Sequence, residues 1–290
     1  MFKGTYTAIV TPFDENNEVD YDKLRELVHF QIDGGVQGIV PCGTTGESPT
    51  LTVEEHERVI RTVIEEANGS VQVIAGTGSN NTAEAVHLTE KAAEFGADAA
   101  LVIMPYYNKP MPDGQFKHFK TVAEAGGIPL IVYNVPGRTG KSILPEDIAR
   151  MYEQIDGIAA IKDAVGDIEY TCAVRRLCSI DILSGDDSMT FPMIAVGGQG
   201  VISVASNVVP ERVSAMVSYA ESGDFANGRK EHFALWDLFK GLFIETNPIP
   251  VKTALSLMGK AGGNLRLPLS EMEEANREKL RKILAEMNIL

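Results

Sequence analysis

The chain has 290 residues, 44% of them hydrophobic and 23% charged, which is enough apolar material for a large core and excludes a disordered chain. Its formal net charge of -14 opposes nucleic-acid binding, because phosphates demand a basic patch and no Lys/Arg-rich run is present. The opening MFKGTYTAIVTPF lacks the apolar core of a signal peptide, and no run of about 18 apolar residues is available to span a bilayer, so a cytoplasmic protein without a membrane partner is expected.

In chain order, short β-branched apolar runs fall at residues 6–10, 38–41, 71–76, 100–105, 129–134, 157–162, 181–186 and 200–204. Between them, residues 21–33, 53–68, 82–95, 115–125, 145–152, 168–178 and 189–196 carry apolar side chains at helical spacing. Strand and helix alternating through eight units specify a parallel sheet, and eight units predict its closure into an α/β (β/α)₈ TIM barrel rather than an open sheet. After the eighth strand the pattern changes: residues 225–242, 250–258 and 270–287 read as three consecutive helices. The division expected is a catalytic barrel over residues 1–224 and a C-terminal helical region over 225–290. Cys42, Cys172 and Cys178, odd in number and without CxxC spacing, are expected as reduced thiols.

In such a barrel the active site lies at the C-terminal ends of the strands, so the polar residues that follow each apolar run are the candidates. They are Thr11, the loop Gly43-Thr44-Thr45-Gly46-Glu47, Tyr106 and Tyr107, Tyr133 with Asn134 and Arg138, Lys162, and Gly185 with Asp186. Lys162 closes the apolar strand GIAAIK. An amine among barrel side chains is costly to protonate, so its pKa falls and a neutral nucleophile for a ketone becomes available. The plainer alternative for Lys162 is a solvated or ion-paired lysine, and for Tyr133 a core tyrosine.

Tyr133 ends the preceding strand and can pass protons, with Thr44 or Thr45 continuing a hydroxyl chain. PCGTTGES lacks the GK[ST] lysine of a phosphate loop; its glycines, like those of Gly76-Thr77-Gly78, can instead bring backbone amides up to a small carboxylate. Arg138, in a Pro136-Gly137 turn, offers a two-point carboxylate fork. The histidines 29, 56, 87, 118 and 232 form neither HxH nor HExxH, so metal-dependent aldol chemistry is not expected.

AIVTPF at 8–13, GTTGES at 43–48, PYYNKP at 105–110, YNVPGRTG at 133–140, Lys162 and NPIPVK at 247–252 together resemble the dihydrodipicolinate synthase and N-acetylneuraminate lyase superfamily of class I pyruvate aldolases, along essentially the whole chain. The resemblance implies a Schiff base between Lys162 and pyruvate, with no other cofactor. It implies a relay of Tyr133, Thr44 and Tyr107, the last reaching in from a neighbouring subunit of a homotetramer built as a dimer of dimers. Thr45 would hold the pyruvate carboxylate, and the backbones of Gly185 and Ile202 would line the site.

YNVPGRTG with NPIPVK looks like the synthase branch, whose second substrate is L-aspartate 4-semialdehyde. Arg138 would bind its carboxylate. Asp163 after the lysine departs from the glutamate usual there, and is read as lying outside the substrate contacts. The synthases are often inhibited by lysine, at positions matching Ser48, His56, Asn80, Glu84 and Tyr106, whereas Pro49 and Val53 depart from the sensitive pattern. Two alternatives stand beside this reading: a sister lyase cleaving a 2-keto-3-deoxy sugar acid, and a silent barrel that senses a ligand.

Overall fold

A computed structural model describes all 290 residues. The elements run β1 (Gly4–Ala8), α1 (Tyr21–Asp33), β2 (Gly38–Val40), α2 (Val53–Ala67), β3 (Gln72–Gly76), α3 (Thr82–Phe95), β4 (Ala99–Ile103), α4 (Pro112–Gly126) and β5 (Leu130–Asn134). They continue with α5 (Pro136–Thr139), α6 (Pro145–Gln154), β6 (Ile158–Asp163), α7 (Ile168–Leu177), β7 (Asp181–Ser184), α8 (Asp187–Ala195), β8 (Gly200–Ser203) and α9 (Pro210–Glu221), and then α10 (Phe225–Gly241), α11 (Ile249–Leu257) and α12 (Glu274–Glu286). The eight strands close in sequence order, β8 pairing parallel with β1, as the alternation predicts.

Local signals set the helix ends. Thr52 and Glu55 form a capping box at the start of α2, which ends on left-handed Asn68. Pro112 opens α4, where a missing N–H costs nothing, and Gly127 at φ 64° closes it. Inside the barrel, Tyr6, Val40, Ile74, Leu101, Ile131, Ala160, Leu183 and Ile202 form one core. A larger core joins the strands to the helices and continues into the C-terminal region, from Val28 and Val63 through Val213 to Leu235, Leu255 and Leu280. The C-terminal helices therefore share the barrel's apolar interior.

Several elements differ from the sequence reading, among them α4, which starts at Pro112 rather than 115. The first strand lies at Gly4–Ala8 rather than 6–10, because the chain must leave the sheet at Thr11-Pro12, where proline offers no N–H. Residues 136–139, read as a turn, make one helical turn. Helix α9 has no counterpart among the predicted segments, although Val213, Met216, Val217 and Ala220 are buried at helical spacing behind Pro210. The last helix starts at Glu274 rather than 270: Glu273 stays extended, its amide donating to Glu245 Oε1 at 3.0 Å.

Candidate active site

Tyr133 and Lys162 are directly paired in the β5–β6 register, so the parallel pleat brings both side chains to the same rim. Lys162 is 6% exposed and its Nζ lies 4.4 Å from the centroid of the Tyr133 ring. The other fully buried lysine, Lys252, is neutralised by Glu47 at 2.5 Å; Lys162 has no such partner. Burial pulls the Lys162 pKa down to about 7, with the Asp187 carboxylate raising it and Arg138 lowering it further. Burial likewise pushes the Tyr133 phenol up, while Arg138 and the Thr44 hydroxyl pull it back.

A cavity of about 150 Å³ opens over these groups, walled by Thr44, Thr45, Tyr133, Arg138, Lys162 and Gly185, with Val204, Phe243 and Asn247 among its other sides. A Cβ on Gly185 would stand 2.6 Å from that of Ala164 and 3.1 Å from Lys162 Cε, so only glycine leaves the lysine its place. Gly185 thus lines the cavity beside Lys162. Ile202 is not part of this wall: it lies within β8 opposite Tyr6 in the barrel core, and the β8 side is formed by Val204 two residues on.

Thr44, Tyr133 and Arg138 also border a second cavity of about 370 Å³, so the two spaces share a wall. Ser48, His56, Glu84 and Tyr106 line the second; Asn80 does not, its carbonyl instead accepting from Asn108 Nδ2 at 2.8 Å. His56 is buried, bonds Gly76 O at 2.7 Å and has its pKa lowered by burial. Tyr107 lies apart from both cavities: it is 90% exposed, on left-handed backbone at φ 67°. Within a single chain Thr44 and Tyr133 come together and Tyr107 does not join them.

The amides of Gly46, Glu47 and Ser48 are spent on carbonyls of the same turn, and those of Gly76 and Thr77 on Pro41 and Leu101. Of the amides expected to form an anion cradle, those of Gly43, Thr44, Thr45 and Gly78 remain without a backbone acceptor. Gly76 serves packing instead, since a Cβ there would sit 2.3 Å from Cys42 O. Asp163 points away from the cavity, accepting from Thr171 Oγ1 at 2.7 Å and Val165 N at 3.1 Å.

Three further groups carry no sequence signal of their roles. Asp187, wholly buried in the first turn of α8, accepts from Ser203 Oγ and from the amides of Val204 and Ala205, each amide at 3.0 Å. It thereby ties the end of β8 to α8, and burial raises its pKa to about 6. Asn247 and the Glu47–Lys252 pair bring the C-terminal region onto the loop after β2. NPIPVK stands out as a motif, but nothing local in it names partners some two hundred residues away.

Fold and site together define a (β/α)₈ enzyme with a buried, unpaired amine at its catalytic rim. The model of the dihydrodipicolinate synthetase family matches residues 1–287. The 4-hydroxy-tetrahydrodipicolinate synthase of Citrifermentans bemidjiense is 51% identical, with 100% of both chains covered. The crystal structure of dihydrodipicolinate synthase from Aquifex aeolicus superposes with a TM-score of 0.98 at 49% identity, covering 99% of each chain. That from Cyanidioschyzon merolae, with lysine bound, gives 0.96 at 38% identity over 100% of this chain and 99% of that one. The chain belongs to the dihydrodipicolinate synthetase family. Its activity is the family's, a lyase reaction of diaminopimelate and lysine biosynthesis.

Proposed function

We propose that Lys162 condenses pyruvate with L-aspartate 4-semialdehyde through a covalent imine. The observation that carries this is the lysine itself: buried, without a counter-ion, in register with Tyr133 and open to a cavity of about 150 Å³. Its neutral amine attacks C2 of pyruvate, and loss of water gives the imine. That imine is the electron sink, so no other cofactor enters. A methyl proton leaves to form an enamine, whose carbon attacks the aldehyde; the aldehyde oxygen takes a proton and becomes the hydroxyl. The product's own amine then displaces Lys162, closing the ring, for a net loss of one water.

Tyr133 and Thr44 carry the protons of these steps. Thr45 takes the pyruvate carboxylate, and Arg138, also on the cavity wall, that of the semialdehyde. Gly185 leaves room for the adduct, and Ile202 supports the site from the barrel core. The test is turnover of pyruvate and the semialdehyde, coupled to reduction of the product, beside pyruvate release from 2-keto-3-deoxy sugar acids. Condensation without such release supports the synthase; the reverse result favours the sugar-acid lyase.

Tyr107 completes the relay of a second subunit, an assignment supported by its exposure and its absence from the walls of both cavities of its own chain. The active form is accordingly an oligomer, a homotetramer of paired dimers. The cavity of about 370 Å³ binds lysine as a feedback inhibitor through Ser48, His56, Glu84 and Tyr106, with Asn80 joining from the adjoining loop. Sedimentation as a fully active monomer contradicts the first assignment, and activity flat to millimolar lysine the second. The unpaired thiols of Cys42, Cys172 and Cys178 suit a cytoplasmic setting, and no helix is long and apolar enough to cross a membrane.

A further inference from the structure

Asn247 lies between α10 and α11, outside the barrel strands, yet it is 6% exposed and lines the cavity beside Lys162. It engages the two carboxylate-binding candidates at once. Its side-chain Nδ2 donates to Thr45 Oγ1 at 3.0 Å, and its main-chain carbonyl accepts from Arg138 Nη2 at 3.0 Å. Thr45 Oγ1 makes no other hydrogen bond within the chain. A hydroxyl that accepts from an amide retains its own proton for donation elsewhere, and here the cavity is where that proton can go. The Asn247 oxygen has no partner, so the bond to Thr45 is the one side-chain hydrogen bond the buried amide makes. With the amide turned over, Thr45 would have to donate to it, and its proton would be lost to the cavity.

Resting on the imine reading above, we propose that Asn247 is a positioning residue that polarises Thr45 as a hydrogen-bond donor to the carboxylate of the 2-oxo acid. The C-terminal helical region thereby takes part in substrate recognition by orienting a residue of the β2 loop. Because Arg138 is held by the main-chain carbonyl, substitution of the Asn247 side chain separates the two contacts. The effect falls on the oxo acid and spares the semialdehyde.

The experiment measures the pyruvate concentration that gives half-maximal borohydride-trapped adduct, together with steady-state kinetics for both substrates. Asn247→Ala raises the half-saturating pyruvate concentration by up to about tenfold, the worth of one neutral hydrogen bond. Asn247→Asp raises it further, although aspartate is the closer isostere. Its carboxylate accepts the hydrogen bond of the Thr45 hydroxyl, turning that donor away from the cavity, and sets a second negative charge near the substrate's. In a Thr45→Val background both changes lose most of their effect, as expected for coupled neighbours. For the Asn247 single variants the change falls on the half-saturating pyruvate concentration rather than on kcat or the semialdehyde KM.

A milder defect in Asn247→Asp than in Asn247→Ala overturns the proposal, because a packing role alone predicts that order. So does a full-sized effect that persists with Thr45→Val, or one that falls on kcat alone. Should the alanine variant not fold, the near-isosteric Asn247→Asp, measured with and without Thr45→Val, decides between the same two roles. Absence of any adduct in the wild type removes the imine reading and this proposal together, whereas adduct with the wrong order of variants removes only the assignment to Asn247.

Discussion

Lys162→Ala lowers condensation by about a thousandfold or more, the scale on which removing a covalent nucleophile acts, and leaves pyruvate untrapped by borohydride. The structure separates this loss from a folding defect. Lys162 makes no salt bridge, and Asp187, the buried carboxylate whose charge it feels, keeps its own bonds from Ser203 Oγ and the amides of Val204 and Ala205 when the lysine is removed. Alanine leaves the β5–β6 backbone pairing intact and slightly enlarges a space that is already a cavity. An unfolding midpoint close to the wild type's should therefore accompany the loss of turnover.

The same residue sets a pH dependence. Its folded pKa, lowered by burial from 10.5 to about 7, means that the reactive neutral amine becomes the major form above about pH 7 and is lost as pH falls through that value. The rate of adduct formation should rise with pH through this region and level off above it. A rise centred near the ordinary lysine value would show that Lys162 is solvated, and that the closed environment described here does not operate.

The second large effect concerns stability. Lys252→Met leaves Glu47 buried without a counter-ion and should cost about 3–5 kcal/mol of unfolding free energy, measured by urea denaturation. Both side chains are 1% exposed and 2.5 Å apart, and Glu47 also accepts from the Arg266 amide at 3.2 Å. The pair holds the β2 loop, where Glu47 sits in left-handed backbone at φ 53°, against α11. Replacing both partners, Glu47→Gln with Lys252→Met, should recover much of the loss, because no unpaired charge then remains. If the single and double variants are equally destabilised, packing rather than charge burial governs the contact.

The barrel is legible in the sequence because each strand is a short β-branched run and most intervening helices carry an apolar face, patterns contained within some twenty residues. Helix α9 obeys the same spacing at Val213, Met216, Val217 and Ala220, and nothing local accounts for its absence from the predicted segments. Lys162, Tyr133 and Gly185 are readable because barrel geometry dictates that residues at strand ends face the site. Ile202 shows the limit of that rule, since the rim of β8 is reached only at Val204.

What the sequence pattern does not reveal is pairing across the fold. Asp187 looks like an ordinary residue at a helix start, and its acceptor role depends on Ser203, Val204 and Ala205 arriving from β8. Asn247 and Lys252 meet Thr45 and Glu47 only once the C-terminal helices have docked on the barrel. The glycines of the β2 loop suggest an amide cradle, but the turn they form consumes three of those amides itself.

Whether Lys162 is the imine-forming nucleophile is decided by reducing the wild-type protein with borohydride in the presence of pyruvate and mapping the modified peptide by mass spectrometry. The expected result is a single pyruvate-derived adduct on the peptide that contains Lys162. An adduct on another lysine, or none under conditions where the enzyme turns over, would contradict the mechanism.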